Sequence, residues 1–183
     1  MGLLARTRKF VQYYRAQRIA RKRGAKIGRG VIMPISLARK VNSNLTIGNH
    51  VSIQTDNIDV RSPISIGDNV IIGANCEIIT NSHDIDSTSW KQYGTGLDIA
   101  PYVWIATNAM ILPGCKRIGR GAVIGAGSVV VKDVDDMSVL GGNPAKELRK
   151  RKNVHSDLLI EGLLGGDLLE YYRARKSFHT KAF

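Results

Sequence analysis

The chain has 183 residues, is 43% hydrophobic and carries a formal net charge of +12. That length suits one principal domain with appendages. No stretch is long and apolar enough to span a bilayer as a helix, and Met1–Lys9 lacks the apolar run of a secretory signal. Two cysteines, Cys76 and Cys115, make neither a disulfide framework nor a metal-ligand set. They suit a reducing, cytoplasmic compartment.

The excess charge lies at the start of the chain. Twelve Lys and Arg precede Asp56, no Asp or Glu does, and the remainder is balanced. Residues 1–24 read as a basic amphipathic helix. Leu3, Leu4, Phe10, Val11, Tyr14 and Ile19 recur at roughly helical spacing among cations, and Gly24 suits a helix stop. Two roles stay open. The apolar side caps the next element while the cations are solvated, or residues 1–23 rest on an anionic membrane surface. The second role makes the protein peripheral to the inner membrane surface. No recognition motif accompanies the charge, which argues against nucleic acid as a partner.

From about residue 25 to 134 the chain repeats in sixes. An aliphatic residue opens each unit at Ile27, Ile47, Ile53, Ile66, Ile72, Ile78, Ile99, Ile105, Ile111, Ile118, Ile124 and Val130. A small residue follows most of them, as at Gly48, Gly67, Gly73, Ala100, Ala106, Gly119 and Gly125. A period of six fits neither a helix nor simple strand alternation. It predicts an all-β parallel β-helix in which each unit supplies one short strand and one turn. The aliphatic residue points inward, and the small residue leaves room at the corner, where glycine tolerates dihedral angles that others avoid. Thr55–Ser65 slips the phase by one position. The polar stretch 84–97 reads as an extruded loop, where recognition usually sits. Residues 135–183 read as a turn, a basic segment and a partly helical tail with Leu158, Leu159, Leu163, Leu164, Leu168, Leu169 and Tyr172.

Four stretches, TNSHDIDSTSW, APYVWIATNAMILPG, IGRGAVIGAGSVVVKDV and GGNPAKELR, together resemble the hexapeptide-repeat acyltransferases. The match looks closest to sugar and polysaccharide O-acetyltransferases and covers about residues 45–150. The resemblance implies a left-handed parallel β-helix, an exception to the right-handed crossover rule. It also implies a homotrimer with sites between neighbouring subunits, acetyl-CoA as co-substrate, no metal, and a saccharide acceptor from an exopolysaccharide, an O-antigen or a small sugar.

The resemblance places the catalytic base at His83, just before the extruded loop. Imidazole chemistry suits taking a hydroxyl proton as the oxygen attacks a thioester. A base must be held in one tautomer, and Asp84 and Asp86 are candidates for that, as is a backbone carbonyl. The resemblance maps the oxyanion donor onto the backbone N–H of Thr107. Ala106 stands where the family usually has glycine. Trp104 either walls the pantetheine channel or packs at a subunit contact. Gly125, Ala126 and Gly127 permit close approach of the pantetheine arm. Lys132, Lys146 and Arg149 match positions that meet CoA phosphates, while Arg151 and Lys152 read as solvated cations. Asn81, Asp56, Asn57, Asp59 and Trp90 are candidates for the acceptor cleft.

Three other functions compete. One is N-acetylation of an amino sugar or its nucleotide conjugate. Another is a zinc lyase, which needs three histidines where the repeat core offers His50 and His83. The third is a non-catalytic scaffold, because fold alone does not prove activity.

Overall fold

The computed structural model describes residues 2–154 and residue 168. The leucine-rich tail expected to be helical lies, save residue 168, outside the described residues.

Helix α1 (Leu3–Lys22) opens the chain. Its run holds neither Gly nor Pro, its last turn is basic, which favours the helix C-terminus, and Gly24 follows it at φ +95°. Ala16 and Ala20, one turn apart, are its buried residues. They form part of the core with Leu37 and Ala38 of α2 (Ile35–Lys40). Helix α2 has no counterpart in the sequence reading. It is a six-residue helix standing where the first coil would have its third strand.

The coils follow in order. Strand β1 (Lys26–Ile27) and an isolated bridge at Ile32 belong to the first. The second holds β2 (Leu45–Ile47), β3 (Ser52–Ile53) and β4 (Asn57–Ile58). The third holds β5 (Ile64–Ile66), β6 (Ile71–Ile72) and β7 (Glu77–Ile78). An antiparallel hairpin, β8 (Asn81–His83) and β9 (Gln92–Gly94), then leaves the stack. The fourth coil holds β10 (Leu97–Ile99), β11 (Trp104–Ile105) and β12 (Met110–Ile111). The fifth holds β13 (Arg117–Ile118), β14 (Val123–Ile124) and β15 (Val129–Val130). A last partial coil comprises a bridge at Val134 and β16 (Ser138–Gly141), which turns back as β17 (Lys146–Lys150).

These strands make three parallel sheets. The first face is β1-β2-β5-β10-β13. The second is β3-β6-β11-β14-β16 closed by antiparallel β17, and the third is β4-β7-β12-β15. The molecule is thus a parallel β-solenoid. Its interior is the aliphatic row read from the hexads: Ile66, Ile72, Ile78, Ile99, Ile105, Ile111, Ile118 and Ile124 are all buried. Burying such a side chain is worth about 1.5–3 kcal/mol. The phase slip has a structural form. Ile58 comes one residue early after Ile53, yet still pairs with Ile78 on the third face.

One detail of the corner differs from expectation. The left-handed residue is not the small residue after each isoleucine but the one two places further on. His50, Asn69, Asn75, Tyr102, Asn108 and Met137 have φ between 55° and 64°, and Gly121 and Gly127 have φ of 67°. Asn and Gly visit that region at low cost. The small residue is needed for contact with the next coil. A Cβ on Gly67 would sit 2.7 Å from the Pro101 nitrogen, and one on Gly73 would sit 2.8 Å from the Thr107 nitrogen.

The outward residues differ by face. The first face shows Lys26, Thr46, Ser65, Asp98 and Arg117 in register. The second shows Ile71, Trp104, Val123 and Val139.

Candidate active site

The hairpin leaves the solenoid at the edge between the third and first faces, because β7 precedes it and β10 follows it. Its foot is fixed by Asp59 of the coil below. The Asp59 carboxylate takes a bidentate pair from Arg61 at 2.8 and 2.9 Å and a bond from Asn81 Nδ2 at 3.1 Å. It also accepts the Thr80 N–H at 3.3 Å. Burial alone would raise the Asp59 carboxyl, but the bonds from Arg61, Asn81 and Thr80 outweigh it and hold the group far below the ordinary carboxylate range. Asn81 Nδ2 also contacts Ser62 Oγ at 3.2 Å and Thr80 Oγ1 at 2.9 Å. Both residues, expected to hold the acceptor, are therefore occupied in anchoring the hairpin.

His83 ends β8, partly exposed, opposite Gln92. Its Nδ1 lies 2.9 Å from the Trp90 carbonyl. A carbonyl only accepts, so Nδ1 carries the proton and Nε2 keeps its lone pair. The Trp90 indole stacks on the imidazole at a centroid distance of 5.3 Å and an interplanar angle of 20°. Trp90 itself sits at φ +54°, an unusual backbone for so large a residue, and is 60% exposed. Of the three kinds of partner left open, Asp84, Asp86 and a backbone carbonyl, it is the carbonyl of Trp90 that meets Nδ1. Asp84 Oδ1 instead accepts the Asp86 N–H at 3.1 Å, and both residues are exposed.

The other expected acceptor residues lie one coil lower. Asp56 pairs with Lys40 Nζ at 3.2 Å, and its carboxyl is held low by hydrogen bonds from Ser36 and Lys40. Asn57 is exposed on the third face. Both line a shallow depression with Asp59 and Arg61.

Of the expected CoA residues, Thr107 and Gly125-Ala126-Gly127 lie on a different edge, between the second and third faces, while Lys132 lies between β15 and the Val134 bridge, and Lys146 and Arg149 lie on β17. Thr107 joins β11 to β12, and Gly125-Ala126-Gly127 joins β14 to β15 directly above it. The Gly127 N–H donates to the Thr107 carbonyl at 3.0 Å. The Thr107 N–H has no acceptor among the described residues. Ala106 keeps a negative φ, since it is absent from the residues with positive φ, so its methyl is tolerated. Trp104 stands beside this edge on the second face, 46% exposed.

Lys132 and Lys146 line one depression with Asp133, Asp135 and Glu147. Two of those acids are engaged. Asp133 accepts the Lys116 and Arg117 N–H groups, and Glu147 takes Ser138 Oγ at 2.7 Å and Lys150 Nζ at 3.0 Å. Arg149 lies outside the depression on β17, where its guanidinium donates to the Lys150 carbonyl at 3.3 Å. Arg151, expected to be solvated, instead donates to the Tyr102 and Gly121 carbonyls at 3.2 Å each.

Within one chain the base and the donor edge therefore occupy different corners of the solenoid, with the third face between them. Sequence reasoning left a backbone carbonyl open as the orienting group without saying which one, and it missed the indole stack. A backbone acceptor has no residue signature, and the stack depends on how the loop closes.

No family model matches the chain. It is 34% identical over 129 residues to a putative colanic acid biosynthesis acetyltransferase of Escherichia coli K12, covering 70% of each chain. A putative acetyltransferase of Schizosaccharomyces pombe is 41% identical over 93 residues, which is 49% of this chain and only 44% of that one. Among solved structures, a hexapeptide-repeat acetyltransferase from Vibrio cholerae aligns with a TM-score of 0.64 at 27% identity, over 78% of this chain and 92% of that one. The same Vibrio cholerae protein complexed with acetyl coenzyme A aligns with a TM-score of 0.50 at 31% identity, over 71% and 62%.

Proposed function

The chain belongs to the hexapeptide-repeat acetyltransferase family, and on that premise we propose that it moves the acetyl group of acetyl-CoA to a hydroxyl of a saccharide. The observation that carries this reading is the His83 tautomer: Nδ1–H is tied to the Trp90 carbonyl, so Nε2 is free to accept a proton. The acceptor hydroxyl gives its proton to Nε2 as its oxygen attacks the thioester carbon. A C–O bond forms, the C–S bond breaks, and the imidazolium returns the proton to the departing thiolate. The Thr107 N–H meets the oxygen that gains negative charge. The small residues 125–127 let the pantetheine arm approach the main chain, and Lys132 and Lys146 attract the CoA phosphates.

We place the acceptor among exopolysaccharide or O-antigen saccharides, in line with the colanic acid relative. Trp90 is the group open to a sugar face; Asn57 is the remaining exposed polar candidate.

The site is completed by a second copy. Separate edges for His83 and Thr107 argue for this, as does the half-exposed apolar row Ile71, Trp104, Val123 and Val139 on the second face. Such a row suits burial against another subunit, and a ring of three copies gives three equivalent sites. The two unpaired, buried thiols suit a cytoplasmic setting.

Release of free thiol from acetyl-CoA across a panel of sugars, nucleotide sugars and oligosaccharides tests the reading. Saccharide-dependent release is expected. Absence of both release and CoA binding would overturn it in favour of a scaffold.

A further inference from the structure

Helix α1 has two faces with different fates. Ala16 and Ala20 are buried against the body. At 100° per residue, Leu4, Val11, Tyr14 and Arg18 fall on the opposite side, and their exposure agrees: Leu4 is 89%, Tyr14 52% and Val11 48% exposed. Arg8 and Arg15 border this stripe on one side, Arg18 and Lys22 continue it toward the helix C-terminus, and all four are exposed. Capping the first coil uses Ala16, Ala20 and the partly buried Ile19, with Gln17 and Arg21 bonding the Val31, Ile27 and Gly28 carbonyls. The outward side still presents three large apolar residues among cations, on a segment without a single acid.

We propose that this outward face of α1 docks on an anionic lipid bilayer. The argument is charge complementarity joined to apolar insertion. An apolar stripe bordered by Lys and Arg is the pattern of helices that lie in the headgroup region, and each cation near an acidic surface adds about fivefold to the partition. A protein partner would have to supply a long acidic groove, whereas a bilayer supplies negative charge and hydrocarbon together. The proposal stands whether or not the chain acetylates a saccharide.

Co-sedimentation of the full chain with vesicles tests it, comparing phosphatidylcholine alone with phosphatidylcholine plus phosphatidylglycerol. The expected result is binding to the acidic vesicles that weakens as salt rises. The combined variant Arg8→Gln, Arg15→Gln, Arg18→Gln is expected to lower the partition about a hundredfold. A Leu4→Ser, Val11→Ser variant is expected to lower it further at high salt. These side chains are exposed, so unchanged circular dichroism serves as the folding control. Absence of binding at low salt overturns the proposal. So does equal binding to neutral vesicles, or binding by both variants as strong as the parent's. A fall in sedimentation mass of the Leu4→Ser, Val11→Ser variant in lipid-free solution would instead identify a second copy as the occupant.

Discussion

The two edges that bear the functional candidates are built by opposite means. Between the second and third faces, each coil repeats the same corner. Ala106-Thr107-Asn108 and Gly125-Ala126-Gly127 are successive copies linked by the bond from Gly127 N–H to the Thr107 carbonyl. Between the third and first faces the repeat is broken once, by a hairpin found on one coil alone. The repeated edge has small residues in its upper copy and the main chain of one coil bonded to the next. The unique edge carries the oriented imidazole of His83 with the exposed indole of Trp90 stacked on it. In the proposed reaction this difference separates donor binding from acceptor chemistry.

The sharpest test of that separation is His83→Ala. Turnover should fall by about a hundredfold to ten-thousandfold, the scale of a lost general base, while acetyl-CoA affinity and thermal stability stay at the parent's values. Thiol release and equilibrium CoA binding read the two arms. A loss of CoA binding in a folded His83→Ala protein would merge the two edges into one unit.

Next in size is Ile105→Ala, which strikes the shared frame. Ile105 is fully buried between Ile72 and Ile124. The cavity should cost about 2–5 kcal/mol of stability, seen as a lower denaturation midpoint, with the pH dependence of turnover unchanged below the transition. An altered pH profile would show that coil packing reaches the imidazole.

Asp59 sharpens the comparison at the hairpin's foot. Its folded carboxyl titrates below the ordinary value, so the anchor stabilises the protein fully above about pH 4 and fades as pH falls toward the folded value. Asp59→Asn should remove about 1–3 kcal/mol at neutral pH and flatten the stability curve between about pH 4 and 2, as followed by thermal melts. A variant with the parent's acid sensitivity would show that the foot is held by something else.

The smallest expected effect is at Trp90. Trp90→Gly keeps a backbone that accepts positive φ and keeps the carbonyl, but removes the indole. The stack is worth about 0.5–1.5 kcal/mol, so turnover should drop by up to about tenfold, with Trp90→Phe recovering most of it. An equal loss in both variants would mean the indole serves through its N–H or its size and not through stacking.

The solenoid was legible because one residue type recurs at one phase, and the buried ladder from Ile66 to Ile124 follows from it. His83 was legible because an imidazole beside an extruded polar loop has a chemical use. The finer features were hidden for physical reasons. The left-handed corner lies two places beyond the small residue, and His50, Tyr102 and Met137 occupy it as well as Asn and Gly, so residue type does not mark it. Helix α2 is too short for its period to stand out. The partner of His83 Nδ1 is a carbonyl, which every residue possesses. Asp59 and Asn81 looked like sugar ligands because their polarity was visible while their anchoring bonds were not.

Strand β17 has a consequence for solution behaviour. A solenoid of parallel strands ends in open rows of N–H and C=O groups, and such an end is a template for another copy to continue the ladder. At the first coil α1 and α2 stand over that template. At the far end β17 reverses direction and pairs antiparallel with β16, which interrupts the parallel register on the second face. Its five residues, Lys146-Glu147-Leu148-Arg149-Lys150, are all exposed and four are charged. End-to-end growth into a fibre would require a second chain to match a reversed strand and bury those charges. Among the described residues the second face therefore carries a built-in stop at its far end, in a fold that could otherwise lengthen without limit.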